Sequence, residues 1–236
     1  TIKQRTAKLF SNLKYVITTP SAWAVVACSF FVNGSLTNIT GIWGGPFLKE
    51  VLQFSSLTAS NTLMGFTVGI LVGSLLIPIS VEKLFRSKKI VILTANLFAA
   101  SVCIPFIVCP DKLPYAVIFI LFMFFAICTM GMLSVLYPFG TTYFSATIGA
   151  TAIGLYNFTG NASLIVYMPF TGFILEHFER IQNNEIRHDA NGFKYGLWLF
   201  DLCGLIVADI IFAFAKENSQ DSDMIENDAN NYQVFD

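Results

Sequence analysis

The chain has 236 residues, of which 55% are hydrophobic and 12% charged, with a net charge of −1. An average soluble protein is roughly 25% charged, so this composition and a mean hydropathy of +0.65 exclude a soluble domain, a coiled coil, a disulfide scaffold and disorder for the bulk of the chain. The net charge excludes a basic nucleic-acid binder, and an all-α integral membrane protein remains.

Residues 1–19 are too polar to span a bilayer. Ile2, Leu9, Leu13 and Val16 recur near helical spacing, with Lys3, Arg5, Lys8 and Lys14 between them. This pattern predicts an amphipathic linker helix lying on the cytoplasmic membrane surface. It lacks the continuous apolar core and cleavage site of a signal peptide.

Six stretches then reach the roughly 20 apolar residues that a membrane helix needs. They run from Ala22 to Phe47, Leu57 to Ser80, Ile90 to Cys109, Pro114 to Phe139, Ile148 to Ile174, and Tyr195 to Ala215. The runs are long and continuous, unlike the short alternating strands of a β-barrel. Of the charged residues, only Asp201 and Asp209 fall inside these limits, and none at all lies between Leu113 and Leu175. The transmembrane domain is therefore expected over residues 20–216. Residues 217–236 hold six acidic residues and no Lys or Arg, the composition of a solvated, disordered tail.

Lys and Arg set the orientation. Nine fall on the side of the termini and five on the other, so both termini are expected in the cytoplasm of a plasma or inner membrane.

Polar residues inside the spans carry the chemistry. In the first span, Ser29, Asn33, Thr37, Thr40 and Gly44 are spaced by three and four, which places them on one helical face. In the fifth, Gly154, Asn157 and Asn161 form one stripe and Tyr156, Gly160, Ser163 and Tyr167 the next. Asn33, Thr37, Thr40, Tyr156, Asn157 and Asn161 are read as lining a polar cavity; the alternative is hydrogen bonding between helices. In the second span Gly65, Gly69 and Gly73 form overlapping GxxxG repeats, expected to bring a neighbouring helix close. Pro78, Pro138 and Pro169 are expected to distort the ends of their spans. Gly44, Gly45 and Pro46 are expected to break the first span, beside an interface anchor at Trp43.

Intramembrane acids are functional candidates by default, which makes Asp201 and Asp209 the candidates for proton coupling. They lie about 80° apart around a helix and so do not share a face. The alternative is a carboxylate paired with a neighbouring element. The five cysteines are scattered, without metal-ligand spacing, and read as small packing residues. The two histidines lie in the loop after the fifth span. No HExxH, GxSxG or nucleotide-binding loop occurs, so no metal, no cofactor and no enzyme activity are expected. The sequons at Asn33, Asn38, Asn157 and Asn161 lie within spans, beyond a glycosyltransferase's reach.

Three segments resemble the major facilitator superfamily, in its carboxy-terminal six-helix half. Ile42-Trp43-Gly44-Gly45-Pro46-Phe47-Leu48 is similar to the family's "WGGPYL" exit from the first helix of that half. The run from Pro78 to Lys89 is similar to its G-x-L-x-D-R-x-G-R-R-K loop: Glu82, Lys83 and Arg86 match in charge, while Pro78, Ser80 and Phe85 depart. Gly149 to Asn161 is similar to the opening of the fifth helix. The resemblance covers Tyr15 to Lys216. It implies a secondary transporter working by alternating access, with Glu82, Lys83 and Arg86 in a conformational gating loop. It also implies that the first, second, fourth and fifth helices approach the solute path, and that the third and sixth are peripheral.

The family's usual length is about twelve spans, and this chain has six and begins with Thr. The expectation is a fragment or truncated product; the alternative is a six-span protein working as a dimer. The expected partners are the lipid bilayer, a small-molecule solute, and a missing amino-terminal half or a second copy. The competing reading is a six-span channel or receptor-like protein acting as an oligomer.

Overall fold

The computed structural model describes residues 2–83, 87–182 and 185–215. An amphipathic helix α1 (Ile2–Thr18) leads into six helices long and apolar enough to cross a membrane. They are α2 (Pro20–Val51), α3 (Ser56–Val81, continuing to Lys83), α4 (Lys88–Val108), α5 (Tyr115–Thr141), α6 (Ile148–His177) and α7 (Ala190–Ala213). These bounds fall within five residues of those read from the sequence. The acidic tail beyond 216 lies outside the described residues.

Local chemistry sets the boundaries. Pro20 occupies the first turn of α2, where its missing N–H costs nothing. Thr19 and Trp23 bind the junction, donating to the carbonyls of Tyr15 at 2.8 Å and Ile17 at 2.8 Å. Ser87 caps α4 by accepting from the Ile90 amide. Between α6 and α7, residues expected only as loop form an antiparallel hairpin, β1 (Glu179–Gln182) and β2 (Glu185–His188), with Ile181 opposite Ile186.

Two expected breaks take a different form. The glycines and proline at 44–46 do not end α2. The helix widens instead into two π turns, Ile39–Trp43 and Phe47–Val51, around a short α segment. Pro46 supplies no N–H to the regular ladder, and the first π turn closes from Gly44 N–H to the Ile39 carbonyl, which a Cβ at Gly44 would strike. In α6 the interruption falls at Ser163, while Pro169 stays within helix Leu164–His177. The Ser163 hydroxyl bonds back to the Gly160 carbonyl, and such back-bonding bends helices. Pro78 also lies inside its helix, which continues to Lys83.

The central span is α2, which packs on α5, α6 and α7. Helix α3 lies along α5, and α4 bridges α5 and α7. The α3–α5 seam follows the glycine repeat: Gly65 faces the Phe119 ring, Gly69 the Met123 carbonyl and Gly73 the backbone of Ile127. Near the α2–α3 turn, Phe47, Phe106, Phe122 and Trp198 lock four helices together, with Phe106 stacked on Trp198 at 4.2 Å.

At the other end the Lys89 ammonium donates to the carbonyls of Ala213 at 2.8 Å and Ala215 at 2.6 Å. A cation there satisfies the free carbonyls of α7 and opposes its dipole. Lys89→Met is expected to lower stability by about 1 kcal/mol, seen as a reduced melting temperature of the purified protein. An unchanged melting temperature would refute the cap.

Candidate functional site

Spans α3 and α6 are the least buried, with 28% of residues buried in their most apolar stretch against 56% for α2. The open side of α6 carries Asn157 and Asn161, both exposed. Asn161 donates to the Asn157 carbonyl at 2.8 Å. On α2, Asn33 and Thr37 are half-buried and Thr40 is exposed. Thr37 and Thr40 return their hydroxyl protons to their own helix, to Asn33 O at 2.6 Å and Leu36 O at 3.0 Å. Their oxygens keep lone pairs for an outside donor.

The two helices meet at Gly160, where a Cβ would lie 2.8 Å from Ser29 Oγ and 3.3 Å from Asn33 Cβ. Asn33 is thus brought beside the α6 stripe. Ser29 is buried in the joint, donating to the Tyr156 carbonyl at 2.9 Å and lying 3.2 Å from Tyr137 Oη. Here the stripe bonds helix to helix. Gly44, at its far end, is also buried, because the π turn intervenes and rotates the helix beyond it.

Tyr156 requires a correction. Expected at the cavity, it is fully buried; its hydroxyl donates to the Gly140 carbonyl at 3.2 Å and its ring stacks with Tyr137. It lies one position before Asn157 and therefore faces α5 and α2, not the open side. Trp43, read as an interface anchor, is half-buried on α6, where its indole N–H donates to Met168 O at 3.2 Å. Glu82 and Lys83 end α3, but their side chains, and all of Arg86, lie outside the described residues.

A second polar group is wholly buried. Asp201, halfway along α7, has no exposed surface. Asn38 Nδ2 donates to Asp201 Oδ1 at 3.2 Å and to Thr171 Oγ1 at 3.0 Å. Thr171 donates in turn to the Gly196 carbonyl at 2.8 Å. The Ser35 hydroxyl lies near Asp201 and Tyr167 but donates to the Phe31 carbonyl of its own helix at 3.1 Å. Asp201 Oδ2 and Tyr167 Oη are buried without a partner among the described residues. Asp209 is half-buried further along α7, against Cys28 of α2 and Asn96 of α4. The two acids thus turn to different neighbours, as their angular separation requires.

Asn38 and Thr171 were not among the residues singled out for a site. The usable signal was depth: Asn38 and Asp201 are both near mid-span, so packing α2 against α7 brings the amide and the acid level. No group of three or more potential metal ligands occurs among the described residues. The family profile described as Major Facilitator Superfamily matches residues 4–222. No curated protein matches the chain.

Proposed function

Because the chain belongs to the major facilitator superfamily, a family of membrane transporters, we propose that it forms one six-helix half of a secondary active transporter. It moves a small organic solute by alternating access. The observation that supports this reading is the packing of α2 on α6 at Gly160, which brings Asn33 against α6, with Thr37 and Thr40 further along α2 and the exposed Asn157 and Asn161 on α6. Amides and hydroxyls suit hydrogen bonding to a sugar, an organic acid or a similar metabolite. No Lys or Arg lies inside the spans as read from the sequence, so an anionic solute would find its counter-charge elsewhere.

The open face is completed by a second six-helix unit, either a preceding half or another copy. Both termini face the cytoplasm of a plasma or inner membrane. Helix α1 lies on that membrane's inner surface, with Leu9 and Phe10 exposed toward lipid. The loop containing Glu82, Lys83 and Arg86 acts at the cytoplasmic gate. Asp201 and Asp209 are the carboxyls on which coupling to a proton gradient rests.

Native-length protein in liposomes is expected to accumulate one solute from a radiolabelled panel of sugars and organic acids when a proton gradient is imposed. Asn33→Leu and Asn157→Leu are each expected to cut that uptake about tenfold, the equivalent of one lost hydrogen bond to the solute, without lowering the melting temperature. Uptake that survives both substitutions would sink the assignment of this face. An ionic current without solute accumulation would indicate a channel.

A further inference from the structure

We propose that Asp201 is a proton-binding site outside the solute path, and that its charge decides whether the Asn38 amide holds α2 to both α7 and α6 or to α6 alone. The consequence for transport rests on the proposed solute path; the site itself rests on its own geometry.

Four observations converge. Asp201 lies near the middle of its span with no exposed surface. Its oxygens are unequal: Oδ1 accepts from Asn38, while Oδ2 has no donor among the described residues. A buried acceptor with free lone pairs is a place to add a proton. Third, the groups around it are neutral. Helix α2 presents Ser35 and Asn38, α6 presents Thr171 and the Tyr167 phenol, and α4 presents the Cys103 thiol. No Lys, Arg or His among the described residues acts on it, so charge at this carboxyl has no fixed compensation. Fourth, the Tyr167 hydroxyl beside it is also buried without a partner among the described residues.

The step is a single proton taken from water onto Oδ2, forming one O–H bond, and later returned to water. When Asp201 is ionised, its donor is Asn38 on α2, and its charge strengthens that bond. When it is neutral, that attraction weakens and the Asn38 amide keeps its bond to Thr171 on α6. Asn38 immediately precedes the π turn Ile39–Trp43. A shift of its amide is therefore passed to Thr37 and Thr40 on the open face and to Trp43 on α6. Asp209 sits eight residues away, against Cys28 and Asn96; its Oδ1 is also buried without a partner among the described residues, but it has no bond to Asn38 and so does not act on this joint.

The test uses native-length protein in nanodiscs, with water on both sides at one pH. Infrared difference spectra between acidic and alkaline pH are expected to show the carbonyl band of a protonated carboxyl. Asp201→Asn is expected to remove this band and Asp209→Asn to keep it. In the same protein, with Cys109 and Cys203 replaced by Ala, Thr37→Cys is labelled with a membrane-impermeant maleimide. Its rate is divided by that of Ser56→Cys, an exposed position, to remove the thiol's own titration. The ratio is expected to change about threefold or more across the pH range, as a modest population shift requires, and to become flat in Asp201→Asn.

A band that survives Asp201→Asn, or one lost in Asp209→Asn, overturns the proposal. So does a labelling ratio that does not respond to pH in the unsubstituted background. If Thr37→Cys is unreactive at every pH, the solute-path reading fails instead, and the infrared band alone decides the proton site. Should Asp201→Asn not fold, Asp209→Asn leaves Asp201 as the sole acid within the apolar spans, and the absence of a band from that variant overturns the proposal equally.

Discussion

Gly73→Leu is expected to abolish folding of the membrane domain. A Cβ at this position would lie 2.7 Å from Ile127 Cα and 2.8 Å from its carbonyl carbon. These are backbone atoms, so no rotamer change relieves the clash. Helices α3 and α5 would have to separate along their whole seam, opening the contacts at Gly65 and Gly69 as well. Overpacking usually costs about 1–3 kcal/mol, and a clash with backbone belongs at or above the upper end. Close approach through small residues also replaces the hydrophobic drive that lipid does not supply. The measurement is the yield of monodisperse protein after extraction, together with its melting temperature. Gly154→Ala is the internal control. Nothing lies within 4 Å of its added carbon, so it is expected to be neutral or to stabilise the helix by about 0.5–1 kcal/mol. Normal yield and melting temperature for Gly73→Leu would show that the seam is not as close as described.

Asn38→Leu is expected to destabilise by about 3 kcal/mol, close to the cost of removing one partner from a buried polar pair. The substitution removes the donor to Asp201 Oδ1 and to Thr171 Oγ1 together. It leaves an acid at mid-span with no hydrogen-bond donor among the described residues. The double substitution Asn38→Leu with Asp201→Leu removes the orphan along with its partner, and is expected to recover more than half of the loss. Thermal unfolding of the two single variants and the double variant gives the coupling energy directly. Additive losses would mean that the amide and the acid do not depend on one another.

The six spans were legible because a span must hide every polar backbone group and nearly every charge. The resulting apolar runs mark their own ends, which is why Tyr115–Thr141 was expected within two residues of where it lies. Glycine spacing was equally direct at Gly65, Gly69 and Gly73. What sequence periodicity could not carry was the π turn. The stripe from Ser29 to Gly44 assumes 3.6 residues per turn throughout, and an inserted residue at 39–43 puts Gly44 in the interior. The same limitation affected the asparagines. Asn33, Asn38, Asn157 and Asn161 look alike as letters, yet Asn38 is fully buried while Asn157 and Asn161 are exposed. Which face of a helix a polar residue takes depends on the neighbour it meets, and a single strand of sequence does not name that neighbour. Tyr156 shows the cost: one position from an exposed asparagine, it belongs to the interior. Asp201 was legible as an exception to the charge rule, but its partner was not, because Asn38 comes from a span 163 residues earlier in the chain.

Lys89 has two tasks at two different times. As the chain emerges from the ribosome, amino end first, it counts among the Lys and Arg that bias the loop after α3 to one side of the membrane. At that moment α7 has not been made, so the carbonyls of Ala213 and Ala215 do not yet exist for it to bind. Once α7 is threaded and docked, the same ammonium closes the end of the last span. The residue that helps fix the direction of insertion early thus also seals the bundle when the final helix arrives. The closure can form only if α7 ends on the same side as that loop, so the bond acts as a late check that the spans between them were all threaded.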